Sequence, residues 1–326
     1  MMLLDLTKLL LKPLSYKRVK LDQSVSIGMA AHGNAEVTKA ALNYLFSSVQ
    51  GDFELILVDD ASPDDTLDVF LDQRGSHKNL KIFSFKENLE YCHSVNAILS
   101  HAKGHYVFFI SNDIFVTPTY FRELIACLND NPSFGIARGC SNFVDGHLQP
   151  HNLLNAEYKF EDMIEMFRFA EALSKVFDKR VPAVSPYLTG DAFAVSRRAI
   201  DRIGGFDTRY FGYFGDVDYG IRCRSSGLLD VVSTRAFAYH NAGANINYLD
   251  PQENAKKLQR RFQRVHAAYG EFLTKFSINN IALPNELGPL DSTEFLSALS
   301  IANKKAESDS RLLNVPLEDY SQYLVE

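Results

Sequence analysis

His105-Tyr-Val-Phe-Phe-Ile-Ser-Asn-Asp113 decides how the rest of the chain is read. Five apolar residues, Tyr106 to Ile110, are too few for a helix of ordinary length and rich in strand formers, and they stop abruptly at three polar residues. Such a run reads as a buried strand, in a parallel sheet covered on both faces. In open α/β sheets, ligands collect beyond the carboxyl ends of strands, so Ser111, Asn112 and Asp113 are expected at the rim of a crevice. A strand closed by an Asx-type turn has the same local sequence, and the pattern around it has to decide.

Outward from that stretch, strands and helices alternate. Val25-Ser-Ile-Gly-Met-Ala-Ala31 is a first buried strand, and His32-Gly-Asn34 turns it into an amphipathic helix over 36–46. Phe53-Glu-Leu-Ile-Leu-Val58 is a second strand ending in Asp59 and Asp60. Next, Ser62 is placed to cap a helix, with Pro63 at its first position and Asp65 completing a capping box. A strand over 80–85, a helix through 94–99, the Tyr106 strand, a helix from Pro118 to Leu128 and a strand over 134–140 follow. This alternation with short connections predicts an α/β fold with a mostly parallel, doubly wound sheet.

Residues 141–186 break the rhythm and read as an insertion carrying a long amphipathic helix over 156–177. The sheet resumes at Asp191-Ala-Phe-Ala-Val195. After a helix over 197–203, an aromatic, glycine-containing loop, Tyr210-Phe-Gly-Tyr-Phe-Gly215, leads to Asp216-Val-Asp218. A helix predicted over 219–225 receives both aspartates at its N-terminal end, where the helix dipole favours negative charge. Strands at 229–233 and 237–240 end in His240. The expected domain organisation is an N-terminal extension (1–22), a catalytic domain (23–250) and a helical C-terminal region (251–326), with a linker over 279–289.

Bulk properties exclude several classes. A formal net charge of −6 over 326 residues argues against a broad nucleic-acid footprint, which needs clustered Lys and Arg. Cys92, Cys127, Cys140 and Cys223 are widely spaced and form no CxxC pair, so a reducing, cytoplasmic compartment is expected. No stretch approaches the roughly 20 apolar residues that span a bilayer. Leu3, Leu6, Leu10 and Leu14 share a helix face followed by Lys17, Arg18 and Lys20. They suit either a helix packed on the body or a peripheral anchor at the inner membrane face.

There is no GxGxxG after a strand, no Walker A sequence and no GxSxG elbow. What remains is a set of carboxylates at strand ends, a late histidine and the aromatic loop. Carboxylates cannot cradle phosphates, but they can hold a divalent cation that does.

In their order and spacing these motifs resemble inverting glycosyltransferases of the GT-A fold, family 2. Leu57-Val-Asp-Asp-Ala-Ser62 resembles the family's VDDxS motif, and Glu87-Asn-Leu-Glu-Tyr-Cys-His-Ser-Val-Asn96 its ENxGxxxxxN segment. Ser111-Asn-Asp113 stands at the DxD position. Ile203-Gly-Gly-Phe-Asp207, Gly215-Asp-Val-Asp-Tyr-Gly-Ile-Arg222 and His240 complete the series. The run from Asp216 is similar to rhamnosyl- and galactofuranosyltransferase members.

The resemblance implies Asp216 as general base, with Asp218 as the alternative. It implies nucleotide and donor contacts from Ala31, Asp59, Asp60, Asn88, Asn96, Asn112 and Asp113. Asp113 and His240 become ligands of Mn2+ or Mg2+, while Glu90, Tyr210, Tyr213 and Phe214 face the acceptor. The implied partners are a nucleotide-sugar donor (UDP before dTDP or GDP), a glycan, lipid-linked glycan or protein acceptor, and a second copy of the chain. Four departures matter: Ser111 replaces the first aspartate of DxD, Glu90 replaces a glycine, Ala31-His32-Gly33 replaces the usual Thr-Tyr-Asn, and Gly215 stands where a glutamate usually precedes the base. A sugar nucleotidyltransferase is the alternative enzyme, but Ala30-Ala-His-Gly33 lacks the cation its phosphate loop needs. A non-catalytic sugar- or partner-binding protein is the alternative without chemistry.

Overall fold

The computed structural model describes residues 16–144, 159–176, 183–184, 187–210, 212–241, 251–279, 281 and 292–325. The N-terminal leucine face before residue 16, much of the 141–186 insertion and nearly all of the 279–289 linker lie outside them. In chain order the elements begin β1 (Val19–Leu21), β2 (Val25–Ala31), α1 (Ala35–Ser48), β3 (Val49–Gly51) and β4 (Glu54–Asp59). Then come α2 (Thr66–Leu71), β5 (Leu80–Ser84), α3 (Glu90–His101), β6 (Tyr106–Ser111), β7 (Ile114–Val116) and α4 (Pro118–Asp130). They continue with β8 (Phe134–Cys140), α5 (Met163–Val176), β9 (Ala183–Val184), β10 (Ala192–Ser196), α6 (Arg197–Ile203) and α7 (Gly215–Ser225). The last are β11 (Leu229–His240), α8 (Pro251–Lys275) and α9 (Thr293–Ser308).

The main sheet runs β5-β4-β2-β6-β10-β8-β11-β7, with β9 beside β11. The first four strands are parallel, as expected. Beyond β6 the sheet is mixed: β10 is antiparallel to both its neighbours, β8 and β11 are parallel, and β7 returns antiparallel on β11. The fold is a mixed α/β, Rossmann-like GT-A arrangement.

The alternation of side chains along a strand explains why residues 107–110 of β6 are all apolar. Val107 and Phe109 point into one hydrophobic cluster, Phe108 and Ile110 into the other, and β4 divides its Ile56/Val58 and Leu55/Leu57 the same way. The helix after β4 starts later than its sequence signals suggest. Ser62 does not cap it, because its hydroxyl accepts a hydrogen bond from Gly33 N (2.8 Å) in the turn after β2. Asp65 makes no side-chain cap, and Asp64 Oδ1 holds Thr66 N at 3.1 Å instead.

The described C-terminal residues pack into the same core as the sheet. Tyr269, Phe272, Phe276, Phe295, Ala298 and Tyr320 join the cluster that contains Val107 and Phe109. Near α7, Lys275 Nζ lies 2.6 Å from Asp218 Oδ1 and 3.0 Å from Asp207 Oδ2, with the lysine side chain 5% exposed. Arg222 Nε completes the group, 2.7 Å from Asp218 Oδ2 and fully buried. Removing one partner of a buried ion pair strands the others without solvent. Lys275→Met should therefore lower the unfolding free energy by about 3–5 kcal/mol, read as a lower urea midpoint at unchanged slope. A loss below about 1 kcal/mol, the range of exposed pairs, would contradict this.

Candidate active site

The parallel half of the sheet delivers Asp59 and Asp60 at the end of β4. Both are buried and already held by the chain. Asp59 Oδ1 accepts from Ser62 N (3.3 Å) and its Oδ2 from Ser84 Oγ (3.2 Å). Asp60 Oδ1 accepts from Leu89 N (2.7 Å), and Asp60 N bonds the carbonyl of Ala31 (2.8 Å) at the end of β2. Burial pushes the Asp60 carboxyl up to about 6, against the Leu89 N–H and the charge of His32. Exposed Asn88 closes a local turn, its Oδ1 accepting from Glu90 N (2.9 Å).

Two of the expected donor contacts are engaged within the fold instead. Asn112 turns its amide away from the rim, donating to Gly33 O (3.0 Å) and Thr38 Oγ1 (2.8 Å). Asn96 is 1% exposed and does not reach the crevice. Its amide bonds both the carbonyl (2.9 Å) and the N–H (2.6 Å) of Phe206, tying α3 to the turn after α6. Buried Asn96 and partly buried Asn112 are both satisfied by backbone or hydroxyl partners.

At the other rim, β6 ends and the chain turns through Asn112 and Asp113 into β7, which pairs with the last residues of β11. His240 stands opposite Ile114, and Asn241 N donates to Asp113 O (2.9 Å). This register sets His240 Nε2 3.3 Å from Asp113 Oδ2. Asn142 clamps the histidine backbone from both sides, accepting from His240 N (2.7 Å) and donating to His240 O (3.0 Å). Nδ1 lies 3.2 Å from the Phe143 carbonyl, an acceptor only, so Nδ1 donates there and Nε2 is the nitrogen left to face Asp113.

Sequence reasoning missed Asp191, the residue before β10. Its Oδ2 lies 3.9 Å from His240 Nδ1, and its Oδ1 is 2.9 Å from the buried Arg138 guanidinium. Burial works to raise the Asp191 carboxyl, but Arg138 and His240 hold it below the ordinary carboxylate value. Burial likewise opposes charge on His240, yet Asp113 and Asp191 raise the imidazole to about 9. Among the described residues, no group of three His, Cys, Asp or Glu side chains is arranged to hold a metal ion. All four cysteines are buried free thiols.

Helix α7 begins at Gly215, earlier than its predicted start, so both aspartates lie in its first turn. They face opposite environments. Asp216 is partly exposed, its Oδ2 accepting from Gly190 N (2.7 Å) and its Oδ1 from Val217 N (2.9 Å). Asp218 is fully buried against Arg222, Lys275 and the Tyr210 hydroxyl, and therefore cannot meet an acceptor. Of the aromatic loop, Tyr210 and Phe214 belong to the core, Phe214 stacking on Tyr269 at 5.3 Å, and Tyr213 is only partly buried.

Gly190 is the pivot of this side. Tyr91 donates its hydroxyl to Gly190 O (2.8 Å). A Cβ on Gly190 would come within 2.1 Å of that hydroxyl oxygen and 2.8 Å of Asp216 Cβ, so only glycine lets these parts meet. In the sequence Asp191 only opens the strand at which the sheet resumes. Its signal appears only once β10 is known to lie antiparallel beside β6, where Asp191 O accepts from Ser111 N (3.0 Å).

A model of the family described as glycosyl transferase family 2 matches residues 26–204. An N-acetylglucosaminyl-diphospho-decaprenol L-rhamnosyltransferase from Mycobacterium tuberculosis is 42% identical over 55 residues, 17% of this chain and 18% of that one. A validoxylamine A glucosyltransferase from Streptomyces hygroscopicus is 27% identical over 209 residues, 57% of this chain and 47% of that one. The chain thus spans less than half the length of the curated relatives it matches. In fold it is similar to a mannosyltransferase from Pyrobaculum calidifontis, solved in complex with GDP-Man and Mn2+. The TM-score is 0.54 at 18% identity, over 94% of this chain and 78% of that one. No helix among the described residues is long and apolar enough to cross a membrane.

The raised Asp60 carboxyl gives a test of the geometry at the end of β4. Its neutral form suits the fold, so its stabilising contribution is complete below about pH 4 and is lost as pH rises through about 6. Asp60→Asn keeps an acceptor for Leu89 N–H and does not ionise. Its stability relative to wild type should rise by about 1.4 kcal/mol between roughly pH 5 and 7.5, because about one unit of the shift from 3.8 to about 6 lies above pH 5, at 1.36 kcal/mol per pKa unit. Chemical denaturation across that range checks this, and a flat difference would contradict it.

Proposed function

The chain belongs to glycosyl transferase family 2, and from that premise we propose that it transfers a sugar from a nucleotide-diphosphate donor to an acceptor hydroxyl with inversion. The place of that reaction is the assembly of a polysaccharide or glycoconjugate. A UDP-sugar is the first donor to try, before dTDP- and GDP-sugars. One observation carries the reading: the consecutive residues Gly190 and Asp191 connect the two halves of a transfer site. Gly190 N holds the carboxylate of Asp216, while Asp191 Oδ2 stands 3.9 Å from His240, which faces Asp113.

In this reading Asp216 Oδ takes the proton of the acceptor hydroxyl as that oxygen attacks the anomeric carbon. The bond from that carbon to the diphosphate oxygen breaks on the opposite face, and the nucleotide leaves with the electron pair. The one-sided attack inverts the configuration. A positioned general base contributes about 10²–10⁴-fold. The Gly190 and Val217 N–H groups fix the orientation of that carboxylate.

The Asp113–His240 pair fits a Mn2+ or Mg2+ ion. It offers one carboxylate oxygen and one imidazole nitrogen facing each other, the imidazole held through its other nitrogen by the Phe143 carbonyl. Two protein ligands suffice for an ion whose remaining positions are taken by substrate phosphates and water, which is the usual arrangement for Mg2+. Such an ion, when bound, would neutralise the diphosphate of the departing nucleotide. With Ser111 in place of a second aspartate, Asp113 is the one carboxylate that the turn after β6 supplies, and Arg138 screens the charge of neighbouring Asp191.

Asp216→Asn should lower kcat for transfer by about 10²–10⁴-fold with nucleotide affinity within about twofold of wild type. Full transfer by this variant would remove Asp216 from the mechanism. Asp113→Ala should weaken Mn2+-dependent UDP binding about tenfold or more, 1.4 kcal/mol per decade, in a calorimetric titration. UDP affinity that is the same with and without Mn2+ in both proteins would contradict the metal assignment.

A further inference from the structure

Glu90 carries a side chain where the backbone favours none. Its φ is 71°, in the left-handed region, at a cost of about 1–2 kcal/mol for a residue other than glycine, asparagine or aspartate. Such a conformation persists where its surroundings hold it, and it is concentrated at working sites. Here Asn88 Oδ1 holds Glu90 N, and the carboxylate reaches across to α8, where Arg264 Nη1 lies 2.9 Å from Oε1.

Between the two elements is a groove of about 320 Å³ lined by Glu90, Arg260, Gln263, Arg264 and Ala267. Its size lies at the lower end of small-molecule sites, which start near 300 Å³. Four of the five lining side chains are polar, and together they offer donors and acceptors at close quarters. Vicinal hydroxyls do both, and so match this set. A phosphate only accepts and would meet the Glu90 carboxylate, and an alkyl chain would find one alanine.

The groove is continuous with the site described above. An added Cβ at Gly212 would lie 3.6 Å from Glu90 Oε2 and 3.4 Å from Tyr91 Cβ, so Glu90 faces the loop that leads to Asp216. Tyr91, the next residue, bonds the carbonyl of Gly190, whose N–H holds Asp216. On the other side of Glu90, Leu89 N caps Asp60.

We propose that the groove between Glu90 and α8 is a subsite for a carbohydrate acceptor. Arg260, Gln263 and Glu90 bind its hydroxyls, and the Glu90–Arg264 pair positions α8 as the wall. This rests on the transferase reading and names its acceptor class. It also explains why a strained carboxylate stands where glycine would be relaxed: the exposed pair with Arg264 offsets little of the strain, and the acceptor supplies the rest of its use.

The test separates stability from recognition. Nucleotide release from sugar nucleotides is measured with Mn2+, with and without a series of p-nitrophenyl glycosides, for wild type, Glu90→Gly, Arg260→Ala and Arg264→Ala. At least one glycoside should accelerate release by the wild type. The variants should raise the KM for that glycoside about tenfold, 1.4 kcal/mol per decade, while donor KM stays within about twofold. Glu90→Gly should melt at the wild-type temperature or above, because the strain is relieved and a half-exposed pair contributes at most about 1 kcal/mol. A glycoside KM unchanged in all three variants would overturn the subsite. Wild-type release that no glycoside accelerates would overturn it too, leaving the transferase reading intact. If no sugar nucleotide is turned over at all, the transferase reading itself fails.

Discussion

The site depends on a short antiparallel ladder. Three residue pairs join β7 to the end of β11, Ala238 with Val116, Tyr239 with Phe115 and His240 with Ile114. Side chains alternate along a strand, so a slip of one residue would swing the imidazole to the other face of the sheet. The ladder is held in register by Asn241 N on Asp113 O and by the Asn142 amide on both backbone groups of His240. Because that register holds, a histidine more than a hundred positions away in sequence faces the carboxylate at the end of the central strand.

The opposite wall rests on a different constraint. Asp216 and Asp218 share one turn of α7, and burial separates their roles. Asp218 is surrounded by Arg222, Lys275 and Tyr210, which fix the helix against α8 and the core. Asp216 is left partly exposed, its direction set by Gly190 N. An ionic cluster thus serves as the rigid base for the partly exposed carboxylate that the proposed transfer assigns as general base. The C-terminal region supplies Lys275 to that base and Arg264 to the rim beside it, so α8 contributes to both the core and the mouth of the crevice.

Much of this is legible in the sequence, for physical reasons. Continuous apolar runs ended by acidic residues marked β4 and β6, and both strands prove to be buried on two faces. Thr117-Pro118 marked the start of α4, where Thr117 Oγ1 indeed accepts from Tyr120 N. The roles of single polar side chains were less legible, because a motif records residue type and order but not direction. Ser62, Asn96 and Asn112 each found a partner distant in sequence that outcompeted the local or ligand contact expected of them. Asp191 was invisible for the converse reason. Its importance comes from β10 lying antiparallel next to β6, a pairing that no local pattern announces. Glu90 was marked as an odd substitution, but only its positive φ and its reach to Arg264 show that the oddity has a structural counterpart.

His105-Tyr-Val-Phe-Phe-Ile-Ser-Asn-Asp113 can now be divided by function. Its apolar residues join the two cores, Asn112 locks the turn after β2, and Asp113 alone faces His240. The most direct test of the account is nucleotide release from a panel of UDP-, dTDP- and GDP-sugars by the intact chain, with and without Mn2+ and with acceptor glycosides present. The account predicts release from at least one of these donors, and release that depends on the cation. No release from any donor under any of these conditions would contradict it.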